Sequence, residues 1–332
     1  MRVLFLIQGM EVAASRYRVL QYLPFLQEHG VEPTVLPFPK GFFEKIRVFK
    51  TIRQYDILFI QRKRFAFPWL QYIRKNAKQI VFDFDDSIMH RNSKANQPES
   101  KTRARKFEKM VTSSDYVIAG NAFLMEKTTP YKRDVMIIPS PIDMSLYSQK
   151  NYSEGNDTVT LGWIGAHGSI HYMKKMTPLF EALGKKYDRV KLKIVCDVFF
   201  DCENMVVEKK LWSEQDEVKD IQSFDIGLMP LIDDPWSHGK CGLKILQCLA
   251  AGVPVVCSPF GINREIVEDG VHGLWAESQE EWVEKLEILI NNKELREKMG
   301  RAGRKRVSKD YSLETHAPRM LNLFKRLVEN SH

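Results

Sequence analysis

Short apolar runs alternate along this chain with longer stretches in which apolar residues return every three or four positions. In the first half the short runs fall at 3–7, 32–36, 57–60, 80–84, 116–119 and 135–138. Their length and their Val, Ile, Leu and Phe content predict strands. Between them, helical spacing occupies 16–29, 42–55, 67–76, 100–113 and 122–129. Strand and helix in strict turn predict a parallel, doubly wound α/β sheet. Pro139-Ser140-Pro141 stops the first series, and the polar stretch 151–157 reads as a linker. The rhythm then resumes, with strands at 159–164, 191–195, 226–231, 253–257 and about 273–276, and helices at 171–187, 240–251 and 280–291. A last helical pattern, 313–328, follows Tyr311-Ser312. The expected domains are 1–150 and 158–311, joined by the linker, with 312–332 as a separate terminal helix.

Composition adds limits. The 332 residues suffice for two domains, and 44% hydrophobic with 28% charged content is ordinary for a water-soluble globular chain. No apolar run approaches the length needed to span a bilayer, and 3–7 is too short for a signal peptide. Five cysteines, an odd number without a C-x-x-C pair, point to reduced thiols in the cytosol and argue against zinc. The net charge of +8 is unevenly placed: 40–78 holds eleven Lys or Arg against Glu44 and Asp56. Phe42, Phe43, Phe49, Phe65, Phe67, Trp69 and Tyr72 are interleaved with them. Such a surface suits an anionic membrane face or a polyphosphate. The alternative is that the aromatics pack on the sheet and the charges are solvated. No RNA-stacking or helix-turn-helix pattern accompanies the charge, so nucleic acid is not an expected partner.

The most informative stretch is 224–275. A strand leads through a polar loop to Gly239-Lys240-Cys241-Gly242, where a helix opens, and Ala251-Gly252-Val253-Pro254-Val255-Val256 returns to a strand. A glycine turn opening a helix after a buried strand presents backbone N–H groups to an anion. Lys240 and Lys244 are four apart and are expected on one face of the first helical turn. Together they form a candidate diphosphate cradle. This stretch resembles the donor-binding segment of glycosyltransferase family 4, the retaining transferases of GT-B fold. Cys248 to Val256 fits the family's pattern, as does Gly261 with Glu265, whereas Gly239 and Gln247 stand where the two signature glutamates belong.

The resemblance implies two Rossmann-like domains facing each other across a cleft, with the terminal helix crossing back to the first. It implies transfer of a sugar from a nucleoside diphosphate sugar to a saccharide or lipid-linked acceptor in envelope glycan synthesis. Neither cofactor nor metal is expected. The location would be cytoplasmic, with the inner face of the plasma membrane left open. Donor contacts are expected from Gly239, Lys240, Cys241, Gly242, Lys244, Gln247, Gly165 and Arg16, the last standing where relatives carry a glycine turn. Sugar or acceptor contacts are expected from Asn121, His167, Trp236, His238 and Glu265. For Glu265 a cap on its own helix, and for Asn121 a helix cap, are the structural alternatives. Asp83-Phe84-Asp85-Asp86 ends a strand where relatives carry His-Asp. Asp85 and Asp86 are therefore the catalytic candidates, and crowding is expected to raise at least one pKa. Two alternatives to a transferase stay open: an inactive nucleotide-sugar-binding partner subunit, and a sugar-nucleotide epimerase of GT-B fold.

Overall fold

The computed structural model describes residues 1–153 and 157–330. The chain divides into two compact units: Met1–Pro141 with Asp234–Cys241 and the segment from Leu313, and Ile142–Asp233 with Gly242–Ser312. The division falls after Pro141 rather than at 151–157. Of that expected linker, Asn151, Tyr152, Ser153 and Asp157 belong to the second unit, and Glu154, Gly155 and Asn156 lie outside the described residues.

The first unit holds strands β1 (Arg2–Ile7), β2 (Glu32–Pro37), β3 (Ile57–Gln61), β4 (Gln79–Phe84), β5 (Tyr116–Ala119) and β6 (Val135–Ile137). They pair in parallel in the order β2-β1-β3-β4-β5-β6, with Phe5 opposite Phe59 and Phe59 opposite Val81. Alternate residues of each strand feed opposite cores. Leu4, Leu6, Leu58, Ile60 and Phe82 enter one; Val3, Phe5, Ile57, Phe59 and Val81 enter the other. A sheet covered on both faces needs apolar residues at every position, which is why these strands read as unbroken apolar runs. The last helix, Leu313–Glu329, covers the second face through Ala317, Met320 and Phe324. The Phe324 ring lies 6.1 Å from Phe5 and 6.2 Å from Phe59.

The second unit repeats the plan with β7 (Val159–Ile164), β8 (Val190–Cys196), β9 (Val206–Leu211), β10 (Ile226–Met229), β11 (Val255–Cys257) and β12 (Gly273–Trp275). Their order, β12-β11-β10-β7-β8-β9, is again wholly parallel. Its direction of winding reverses between β7 and β10, as the first sheet's does between β1 and β3. Ligands of such sheets sit beyond the carboxyl ends of the strands at these reversals.

Several expected elements are cut differently. The helix expected at 16–29 is broken into Ala13–Arg18, a 3₁₀ turn at Leu20–Tyr22 and Leu23–Glu28, where Pro24 can only sit in a first turn. That expected at 171–187 divides into Ile170–Lys174 and Thr177–Lys186 because Pro178 starts a new helix. The edge strand β9 and the helix Lys293–Asp310 were not expected; the first has only intermediate and exposed residues, and the second is strongly charged. The five cysteines are free thiols.

Candidate functional site

Beyond the carboxyl ends of β1, β3 and β4, the first unit assembles a set of buried charges. Arg18 is fully buried and grips both oxygens of Asp83, with a further bond of 2.6 Å from Nη1 to the carbonyl of Ile138. Burial opposes its charge, but Asp83 more than restores it and holds the guanidinium pKa above its ordinary value. Burial pushes the Asp83 carboxyl up, while Arg18 pulls it back. One carboxyl of the cluster is thus raised, and burial rather than crowding is the first cause.

Asp85 and Asp86 are engaged by cations. Asp85 pairs with Arg62 Nε, and Asp86 receives Arg62 Nη1 at 2.9 Å and Lys240 Nζ at 2.8 Å. Burial works against the Arg62 charge and the two carboxylates overcome it. Arg62 has a φ of 56°, left-handed geometry that costs a non-glycine side chain about 1–2 kcal/mol. The clamp and the donation of Arg62 N to the Asp83 carbonyl at 2.7 Å hold it there. Such strain persists only where the surrounding structure over-determines it.

The segment Asp234–Cys241 is seated in this same unit. Asp234 caps the short helix Pro235–His238 by accepting from Ser237 N at 2.6 Å. Asn121 caps the helix Ala122–Thr128 with its oxygen, and its amide donates to the carbonyls of His238 and Lys240 at 3.1 and 2.8 Å. Cys241 is buried against the Asp85 carbonyl, 3.3 Å away, and a Cβ on Gly120 would overlap its sulfur. Likewise a Cβ on Gly239 would overlap Ser87. The Lys240 ammonium also lies 4.6 Å from the Trp236 ring centre, and the His238 ring 5.6 Å from that of Phe123. Arg16 is half-buried beside Tyr17, bonding its hydroxyl at 3.2 Å and lying 4.6 Å from the ring centre.

In the second unit the expected helix at 240–251 spans Leu243–Ala250. Lys240 therefore precedes the helix and does not share its first turn with Lys244. The break has a local cause: Gly242 has a φ of 66°, and a Cβ there would overlap Ile266. Only glycine enters this helix so cheaply. No side chain caps the helix start. The Lys244 ammonium lies 4.6 Å from the Trp163 ring centre, and a Cβ on Gly165 would come within 2.9 Å of its Nζ. Gly165 follows β7, at the reversal of the second sheet.

His167 stands two residues on. Its backbone N–H and Nδ1 meet the two Asp197 oxygens at 2.7 and 2.6 Å, and the His167 bond holds the Asp197 carboxyl down at about 2. Gln247 is buried, with its amide 3.4 Å from the Tyr147 hydroxyl. Glu265 lies in the short helix Asn263–Ile266 and does not cap it by side chain, and partial burial raises its carboxyl.

Two residues of these sites were not expected. Asp197 immediately follows β8 and was within reach of the strand-end rule, which did point to Arg62 after β3 as a contact for an anionic acceptor. Arg18 carries no comparable signal, since its partner is distant in sequence. The aromatics of 40–78 divide: Phe49 and Phe65 are buried, whereas Phe42, Phe43 and Phe67 are 62%, 84% and 53% exposed. Among the described residues no helix is long and apolar enough to cross a membrane.

Residues 210–306, which run from β9 to the helix Lys293–Asp310, match the family model described as Glycosyl transferases group 1. That segment belongs to the group 1 glycosyl transferases. A sucrose synthase of Melioribacter roseus is 31% identical over 90 residues, covering 25% of this chain and 11% of that protein. The chain thus matches about a tenth of that relative's length. Among solved structures, Anabaena HepE in complex with UDP and glucose superposes with a TM-score of 0.72 at 15% identity, over 98% of this chain and 100% of HepE. Sucrose-phosphate synthase from Thermosynechococcus elongatus gives 0.75 at 13% identity, over 99% of each chain. At such identity the likeness concerns architecture, and it is complete. The glycosyl transferase segment lies within a chain of GT-B fold.

Proposed function

We propose that the protein is a glycosyltransferase that moves a sugar from a nucleoside diphosphate sugar to an acceptor hydroxyl, with retention at the anomeric carbon. The observation that carries this reading is the start of the helix Leu243–Ala250. A left-handed glycine opens it, no side chain caps it, and Lys244 lies beside the Gly165 loop at the reversal of the sheet. Oriented N–H groups and a fixed ammonium there stabilise the charge that develops on a departing diphosphate. Gly165 lets the backbone and ammonium come close, and His167, held by Asp197, belongs to the same loop. Gln247 and Glu265 complete the proposed donor set, with Gln247 offering an amide where relatives use a carboxylate.

In this reading Asp85 and Asp86 act through the cations they hold, fixing Arg62 and Lys240. The acceptor is a saccharide or lipid-linked saccharide of envelope glycan synthesis. UDP-glucose is the first donor to try, because HepE was solved with UDP and glucose.

A thermal-shift screen of nucleoside diphosphates and their sugars tests the reading. A ligand at a hundred times its Kd adds about 2.7 kcal/mol of stability and raises Tm. No shift with any nucleotide would remove the proposal. A binding-only partner subunit is favoured by one feature: Gln247 is buried on Tyr147, at a signature position of the family. Tight nucleotide binding without release of nucleoside diphosphate, across a panel of acceptors, would select that second reading.

A further inference from the structure

Beyond the carboxyl ends of β1, β2 and β3, the first unit has an open hollow of about 640 Å3. Gln8 follows β1, Lys40 follows β2, and Lys63 and Arg64 follow β3. The helix Phe42–Lys50 contributes Lys45, and the helix Lys101–Thr112 contributes Lys106. Six of the twelve lining residues are Lys or Arg, and none is Asp or Glu. Four separate parts of the chain therefore bring positive charge to one open hollow.

The charge is not spent inside the protein. Arg62 alone among the six is matched by carboxylates, those of Asp85 and Asp86. Among the described residues, the side chains of Lys40, Lys45, Lys63, Arg64 and Lys106 make no ion pair. The nearby Glu44 accepts from the backbone N–H of Lys40 instead, at 2.8 Å. Lys45 and Lys63 rest on aromatic faces, 5.8 Å from the Trp69 and 5.5 Å from the Phe38 ring centres. Arg64 donates to the Ile88 carbonyl, and burial together with Arg103 lowers its pKa. Like charges gathered in a partly enclosed hollow repel one another unless an anion joins them. Lys40, Lys63 and Lys106 are exposed, so an anion can reach them directly from solvent.

We propose that this hollow binds a phosphate group carried by the acceptor. A phosphate offers several charged oxygens to cations that approach from different sides. That the phosphate belongs to an acceptor rests on the transferase reading; that the hollow binds phosphate does not. The rim adds a second feature. An adjoining hollow of about 520 Å3 shares Phe65, Ala66 and Lys106 and adds Lys101, Arg105 and Lys109, again without a carboxylate. Lys109 lies 4.5 Å from the ring centre of the half-exposed Phe67. The cations and the exposed Phe67 ring together match a phosphate on an apolar carrier, such as a lipid, while the cations alone would serve a soluble sugar phosphate.

The test is binding of inorganic pyrophosphate by calorimetry, in wild type, in the double variant Lys63→Gln/Lys106→Gln, and in Lys244→Ala. The double variant is expected to bind pyrophosphate about tenfold more weakly or worse, the loss of one or two charge-assisted bonds. Its nucleoside diphosphate affinity should be unchanged. Pyrophosphate binding that survives in the double variant and falls only in Lys244→Ala would overturn the proposal. So would no pyrophosphate binding by the wild type. Co-sedimentation with phosphatidylcholine vesicles, with and without phosphatidic acid, then finds the source. Capture by the doped vesicles alone, lost in the double variant, assigns the phosphate to a lipid; pyrophosphate binding without capture assigns it to a soluble sugar phosphate. Intact pyrophosphate binding in a protein that binds no nucleotide would retire the transferase reading and leave the hollow standing.

Discussion

The carboxyl ends of the two sheets differ in what their charges are for. At the end of β4 in the first sheet, acids and cations are matched to each other: Arg18 to Asp83, and Arg62 and Lys240 to Asp85 and Asp86. These groups are mostly buried, and each holds another in place. Beyond the second sheet the principal features are a glycine-opened helix start without a cap and a lysine laid along a glycine loop. A matched set makes a framework, whereas oriented N–H groups that no side chain caps make a receptor for an anion. Substitutions in the first region should therefore be read out in stability, and those in the second in binding.

The largest effect is expected at Arg18. Arg18→Ala leaves the Asp83 carboxylate buried without its partner, a change that costs about 3–5 kcal/mol. Thermal unfolding should show it as a sharply lowered Tm. The double variant Arg18→Met/Asp83→Asn should recover much of the loss, because it removes both charges. A single variant that melts like wild type would show that the pair is not the framework described.

Lys244→Ala sharpens the contrast from the other side. It should weaken nucleoside diphosphate binding by about 1.5–3 kcal/mol, the range for hydrogen bonds to charged groups, and leave Tm without ligand near its original value. Lys240→Ala should do the reverse, since its ammonium is committed to Asp86 and Trp236. Equal losses of nucleotide affinity in the two variants would erase the division between framework and receptor.

Gly242→Ala comes next. The left-handed backbone costs a non-glycine residue about 1–2 kcal/mol, and the new methyl group must also displace Ile266. Nucleotide binding should fall with stability here, since the glycine both starts the helix and aims its N–H groups. Unaltered affinity in a destabilised protein would separate the helix start from the donor site.

What the sequence made legible follows the same division. Parallel strands buried on both faces announce themselves as apolar runs, so eleven of the strands were foreseen and the exposed edge strand β9 was not. The glycine turn at 239–242 was visible as a motif, but not that Gly242 delays the helix and leaves Lys240 with the first unit. Nor could spacing show that Asp85 and Asp86 are already occupied. Arg62 lies 23 residues from Asp85 and Lys240 lies 154 from Asp86, distances that only the fold closes. Helix periodicity failed where proline cut it, at Pro24 and Pro178, and where polar faces diluted it, as in Lys293–Asp310.

The smallest effect concerns His167 and Asp197, an exposed pair in the receptor region. His167 holds the Asp197 carboxyl at about 2, below the usual value of 3.8. Because the folded value is the lower one, the pair's contribution is complete above the unfolded value and is lost as pH falls through about 2. Solvent screens so exposed a pair, and global unfolding would scarcely register it. The carboxyl resonance of Asp197, followed by NMR from neutral pH downward, should titrate near the lower value in wild type and return toward 3.8 in His167→Ala. If a nucleotide diphosphate occupies this loop, its negative charge should oppose ionisation of Asp197 and move the wild-type midpoint upward. A midpoint that ignores both the histidine and the nucleotide would place the loop outside the receptor and leave the helix start to act without it.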